Sequence, residues 1–89
     1  MGLVRLGKVV RAVGLRGHLG VAGSDGALGE VERVVLRRGG EEAEAGILEA
    51  RPQGRLWALR VERISDRAEA ERWVGAEVLA EREALGEAG

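Results

Sequence analysis

Cysteine, phenylalanine and tyrosine are absent from this 89-residue chain, and proline occurs once, at Pro52. Without cysteine, neither a disulfide framework nor a thiolate metal site can form. Aromatic bulk comes from Trp57 and Trp73 alone. Val, Leu and Ala must therefore fill the core, which favours a small β-rich domain where branched side chains pack on pleated surfaces. No apolar run approaches membrane-spanning length, and the N-terminus does not show the charged-then-apolar pattern of a secretory signal. A cytoplasmic protein with no membrane partner is the expectation. A chain of 89 residues makes one small domain with a modest core.

Acid is also missing from the first twenty-four residues, which carry Arg5, Lys8, Arg11 and Arg16. The remainder has ten basic residues against fifteen acidic ones, so the formal net charge of −1 conceals a basic end. Such a segment suits a local patch that meets phosphate or an acidic protein.

Glycine, by contrast, is abundant. In "GLRGHLGVAGSDGALG" it recurs at every third position from Gly14 to Gly29. A collagen triple helix would need a long uninterrupted run with proline in the outer positions, and Pro52 lies outside this one. The glycines instead divide among separate roles. Gly14 and Gly17 flank a turn, and Gly20 sits in a strand pattern where it suggests a bulge or barrel corner. Gly23, Gly26 and Gly29 belong to a polar loop around Ser24 and Asp25.

Around these glycines the apolar pattern is short-period. "LVRLGKVVRAV" (Leu3 to Val13) reads as a strand, with Val4, Leu6 and Val10 on one side and Arg5 and Arg11 on the other. Further strands are expected at His18 to Gly23, Glu32 to Arg38, Glu41 to Ala50 and Arg55 to Glu62. Gly39-Gly40 marks a hairpin and "RPQG" (Arg51 to Gly54) another break. Trp57, Leu59 and Val61 share one face of the fifth strand and Leu56 and Ala58 the other, which places it inside a barrel or sandwich. The period then lengthens. Over Ser65 to Gly75, Asp66 is a candidate N-cap, Glu69 its capping-box partner and Gly75 a C-terminal stop. Ala70, Trp73 and Val74 form one apolar stripe, and both tryptophans are expected to be buried. Ala76 to Arg82 is a last strand. Six short strands with glycine turns and one short helix predict a mainly β fold, a small closed antiparallel barrel.

Catalytic signatures are harder to find. "GLRG" stands between extended runs rather than between the two helices of a KH-type nucleic-acid clamp. Gly7-Lys8 lies on a strand, not at the start of a phosphate-binding helix. His18 is the only histidine and has no sequence partner for metal or nucleophilic chemistry. It reads as a surface or half-buried residue. The carboxylates are dispersed among arginines, so no enzyme, metal, cofactor or small-molecule substrate is expected.

"LGKVVRAVGLRGHLGV" (Leu6 to Val21) resembles the opening of the bacterial ribosome maturation factor RimM family. "LWALRVERISDRAEAERWVGAEVLAEREAL" (Leu56 to Leu85) is similar to that family's strand, aspartate-started helix, glycine stop and final strand. The resemblance implies a six-stranded barrel like the second domain of translation elongation factors. It implies a non-catalytic role: transient binding of rRNA and a ribosomal protein of the small-subunit head during assembly, by a monomer. It also implies an N-terminal domain over residues 1–84, with 85–89 a flexible tail leading to a second, PRC-type barrel. The basic first strand and the turn place the partner-binding residues at Lys8, Gly14, Leu15, Arg16 and Gly17. Two other readings stand beside this one: a structural barrel whose partner binding lies in the second domain, and an accessory β-domain of a larger enzyme.

Overall fold

The computed structural model describes residues 2–23 and 27–81. Ser24, Asp25 and Gly26 of the polar loop, Arg82 of the last expected strand, and the expected tail at 85–89 lie outside the described residues. Among the described residues are six strands and one α-helix: β1 (Leu3–Val13), β2 (His18–Ala22), β3 (Arg33–Arg38), β4 (Glu41–Gln53), β5 (Leu56–Val61), α1 (Arg67–Arg72) and β6 (Glu77–Glu81). The strands close into an antiparallel barrel in the order β1-β2-β5-β4-β3-β6. Closure pairs each strand with two neighbours, which removes the long open edges of a flat sheet; only the far end of β4 runs past its β3 partner.

Val9, Leu19, Val21, Val34, Leu36, Leu59, Val61 and Val78 fill the interior, each almost fully shielded. Among the described residues no polar side chain is buried. The interior is therefore the aliphatic core that the shortage of aromatics demanded. Both tryptophans depart from the expectation of burial. Trp57 and Trp73 pack against the core but remain half-buried. The physical reason is size: an eight-position aliphatic centre fills so small a barrel, and the two indoles are left to pack at its margins.

Both ends of the barrel are plugged. α1 covers the end where β1 turns into β2, setting the fully buried Ala70 against the core. Asp66 caps the helix, its Oδ1 accepting from Glu69 N–H at 2.8 Å. The reciprocal half of a capping box does not form; the Glu69 carboxylate lies 3.7 Å from Arg72 Nη1 instead. Gly75, at φ 98°, ends the segment and donates its N–H to Val9 O at 2.8 Å, which ties the helix exit to β1. At the opposite end a short 3₁₀ turn, Ala27–Gly29, carries Leu28, which is wholly buried.

Two strands break the simple alternation. In β1 the register slips between Arg5 and Gly7 against β6, and between Val9 and Arg11 against β2. Each irregularity inserts one residue and reverses which side chains face inward. Val9 is consequently buried, while Val10, expected inside with Val4 and Leu6, is 42% exposed. β4 slips similarly between Ile47 and Glu49, which leaves Leu48 55% exposed. β4 also runs three residues past Ala50, through the expected "RPQG" break. Its pairing with β3 stops at Gly46, so around Pro52 one flank has no strand beside it and a residue without an N–H is tolerated. The turn itself falls on Gly54, at φ 65°.

Candidate functional site

The β1–β2 turn is the most distinctive surface feature. Val13 pairs with His18 across its base, so Gly14, Leu15, Arg16 and Gly17 form the whole loop. Gly14 and Gly17 have φ of 75° and 87°, in the left-handed region where a side chain is strained. Their situations differ. A Cβ on Gly14 would meet nothing within 4 Å, whereas one on Gly17 would lie 2.8 Å from both the backbone N and O of Asp66. The foot of the turn is thus pressed onto the N-cap of α1. Leu15 at the apex is 82% exposed, and Arg16 beside it is exposed without a carboxylate partner among the described residues.

Grooves run along both sides of this ridge. On one side Val13, Gly14, Leu15 and Arg16 face His18, Glu49, Arg51 and Gln53 around an open volume of about 530 Å³. His18 on β2 and Glu49 on β4 reach each other over β5, with Nε2 and Oε1 3.0 Å apart. The other Glu49 oxygen lies 3.5 Å from Arg51 Nε. The His18 hydrogen bond holds the Glu49 carboxyl below its ordinary value; partial burial opposes this, and the Arg51, His18 and Arg60 charges reinforce it. On the other side Val10, Arg11 and Val13 face Arg67, Glu71 and Val74 of the helical segment. There Arg67 Nε engages Glu71 at 3.1 Å, while Arg11 has no carboxylate partner among the described residues.

Of the five residues expected to bind a partner, four are these turn residues. The fifth, Lys8, is exposed but separate: it lines a different hollow with Arg5, Arg37, Gly39, Gly75 and Glu77. That hollow is not purely basic. β6 brings Glu77 to within 3.9 Å of Arg5, and Arg37 is held by Glu42 at 2.7 Å. The acid-free stretch of sequence therefore does not become an acid-free surface, because barrel closure sets β6 beside β1, with β3 next beyond it. Arg51, Glu49 and Gln53 were invisible as neighbours of the turn, since only the β2-β5-β4 strand order brings them there. Among the described residues no three His, Asp or Glu side chains are grouped to hold a metal ion, and no helix is long and apolar enough to cross a membrane.

A family model described as the RimM N-terminal domain matches residues 4–85. The chain is 71% identical over 89 residues to a ribosome maturation factor RimM of Anaeromyxobacter dehalogenans, covering 100% of this chain and 55% of that protein. It is 33% identical over 86 residues to one of Pseudomonas aeruginosa, covering 93% of this chain and 49% of that protein. This chain thus spans about half the length of the curated relatives it matches. Among solved structures, the N-terminal domain of RimM from Thermus thermophilus superposes with a TM-score of 0.81 at 28% identity, covering 96% of this chain and 95% of that one. A 16S ribosomal RNA processing protein RimM from Pseudomonas aeruginosa superposes with a TM-score of 0.79 at 32% identity, over 92% of this chain and 52% of that one.

Proposed function

The chain belongs to the RimM family, and on that premise we propose that it serves ribosome maturation in the cytoplasm as a non-catalytic binding domain. Its partners are the rRNA and a ribosomal protein of the small-subunit head. It binds the assembling region transiently and leaves when the mature surface no longer offers the same contacts. In the same reading residues 1–84 are the barrel and 85–89 begin a linker to a second barrel, in keeping with relatives of which this chain covers 55%.

The observation that carries the proposal is the turn. Arg16 stands exposed at the tip of a loop fixed by two left-handed glycines and braced against the helix cap. An arginine presented on a rigid support needs little ordering to meet a phosphate, and its planar fork matches phosphate oxygens. Lys8 supplies a second, separate phosphate contact on β1.

Binding of the 89-residue chain to immature small subunits across a range of salt concentration tests this. Each lost phosphate contact should reduce the log–log salt slope by roughly 0.7–0.9. Arg16→Ala should therefore weaken binding and flatten the slope, and adding Lys8→Ala should flatten it again. The melting temperature should barely move, because both side chains are exposed. Equal slopes and affinities for Arg16→Ala and wild type would remove the contact from this turn.

A further inference from the structure

We infer that Leu15 is an apolar anchor that seats in a pocket of a partner protein, and that this pocket is rimmed by carboxylates. The inference rests on reading the turn as a contact surface and specifies which class of macromolecule meets its apex. A lone exposed leucine would need no explanation. Leu15, however, is 82% exposed at the tip of a loop whose backbone is fixed at both ends. A side chain presented in this way loses little freedom on binding, which is what an interface anchor requires. Val10, pushed outward by the β1 irregularity, adds apolar surface in the adjoining groove beside Val74.

The charges around the ridge select the partner. Arg11 and Arg67 line one groove and Arg16 and Arg51 the other. Arg67 pairs with Glu71, and Arg51 with Glu49, which leaves Arg11 and Arg16 as the rim cations without a carboxylate partner among the described residues. A surface with an apolar apex and a cationic rim complements an apolar pocket edged with acid. RNA explains the apex less well. A phosphodiester gains nothing from Leu15, and an unpaired base stacks on a planar side chain, yet both tryptophans are packed against the core.

The absence of cysteine makes the test direct. Leu15→Cys creates a single thiol that carries a benzophenone, and irradiation with purified immature small ribosomal subunits captures whatever lies at the apex. An adduct that resists ribonuclease and is destroyed by protease is the expected result; an RNA adduct overturns the inference. In parallel, Leu15→Ala should weaken subunit binding roughly tenfold with the salt slope unchanged, whereas Leu15→Met should bind nearly as wild type. Loss of affinity in Arg16→Ala with none in Leu15→Ala overturns this inference alone. A wild-type chain that does not bind subunits at all overturns the proposed function and this anchor with it.

Discussion

Exchanging each glycine of the β1–β2 turn for alanine separates the two constraints that shape it. At Gly14 the constraint is conformational only: φ is 75° and a new methyl would meet nothing within 4 Å. Placing alanine in the left-handed region costs about 1–2 kcal/mol. The stiffer unfolded chain returns roughly 0.4–1 kcal/mol, so Gly14→Ala should destabilise by about 1 kcal/mol. At Gly17 the same backbone cost applies at φ 87°, and the methyl would also fall 2.8 Å from Asp66 N and O. Those are backbone atoms that cannot rotate aside. Either the turn lifts away or the cap deforms, and a lost N-cap alone costs about 0.5–2 kcal/mol. Gly17→Ala should therefore cost about 2–3 kcal/mol.

Urea unfolding of the two variants beside wild type measures the difference, and in a domain of this size each kcal/mol also moves the melting temperature by about 4–8 °C. Helix signal is the informative second readout. Gly17→Ala should loosen α1 at its start, and Gly14→Ala should not touch it. Equal destabilisation by both would refute the argument that the turn is braced on the helix cap, leaving only two independently strained residues.

Leu28→Ala should cost about 2–5 kcal/mol, because the side chain is wholly buried at one end of the barrel; a loss below 1 kcal/mol in a denaturant melt would show that the 3₁₀ turn is not a plug. Glu49→Gln tests the His18 pair through acid stability. A carboxyl held below 4.5 contributes stability that is fully present above that value and is lost as pH falls through the lowered one. Wild type should therefore lose stability in that acid window by a component that Glu49→Gln lacks, and parallel curves from pH 6 to pH 3 would show that the hydrogen bond does not hold the carboxylate.

The sequence spoke most clearly where one local rule governs. Asp66 as N-cap and Gly39-Gly40 as a hairpin each depend on a few neighbouring residues, and each lies where those rules put it, whereas the helix ends at Arg72 with Trp73 as its C-cap, short of the expected stop at Gly75. Inward and outward positions were legible only where alternation is unbroken, as in Leu59 and Val61. Nothing in "KVVRAV" distinguishes Val9 from Val10, because the irregularity that turns Val10 outward is set by β2 and β6 on either side. Leu28 was hidden for a related reason. A single leucine in a glycine-rich loop has no periodicity, and its burial follows from the Ala27–Gly29 turn packing against the core.

The candidate site divides along the same line. Its apex could be read directly, since four consecutive residues with glycine at both ends specify a tight turn. Its surroundings could not, since His18 meets Glu49 thirty-one positions away and only through β5. This division matters for how the surface works. Glycine at both ends lets the turn form, and the packing of Gly17 onto Asp66 braces it, so Leu15 and Arg16 are presented by a local turn held from the helix cap. Strand order then decides which charges stand beside them, and it brings Glu49 with Arg51 to the turn while setting Glu77 beside Arg5, away from it. Among the described residues each place keeps cations without a carboxylate partner, Arg11 and Arg16 at the turn and Lys8 in its hollow, where Glu77 lies against Arg5. A partner that reads charge alone would find little to choose between the two places. One that also needs a rigid apolar contact would find it only at the turn.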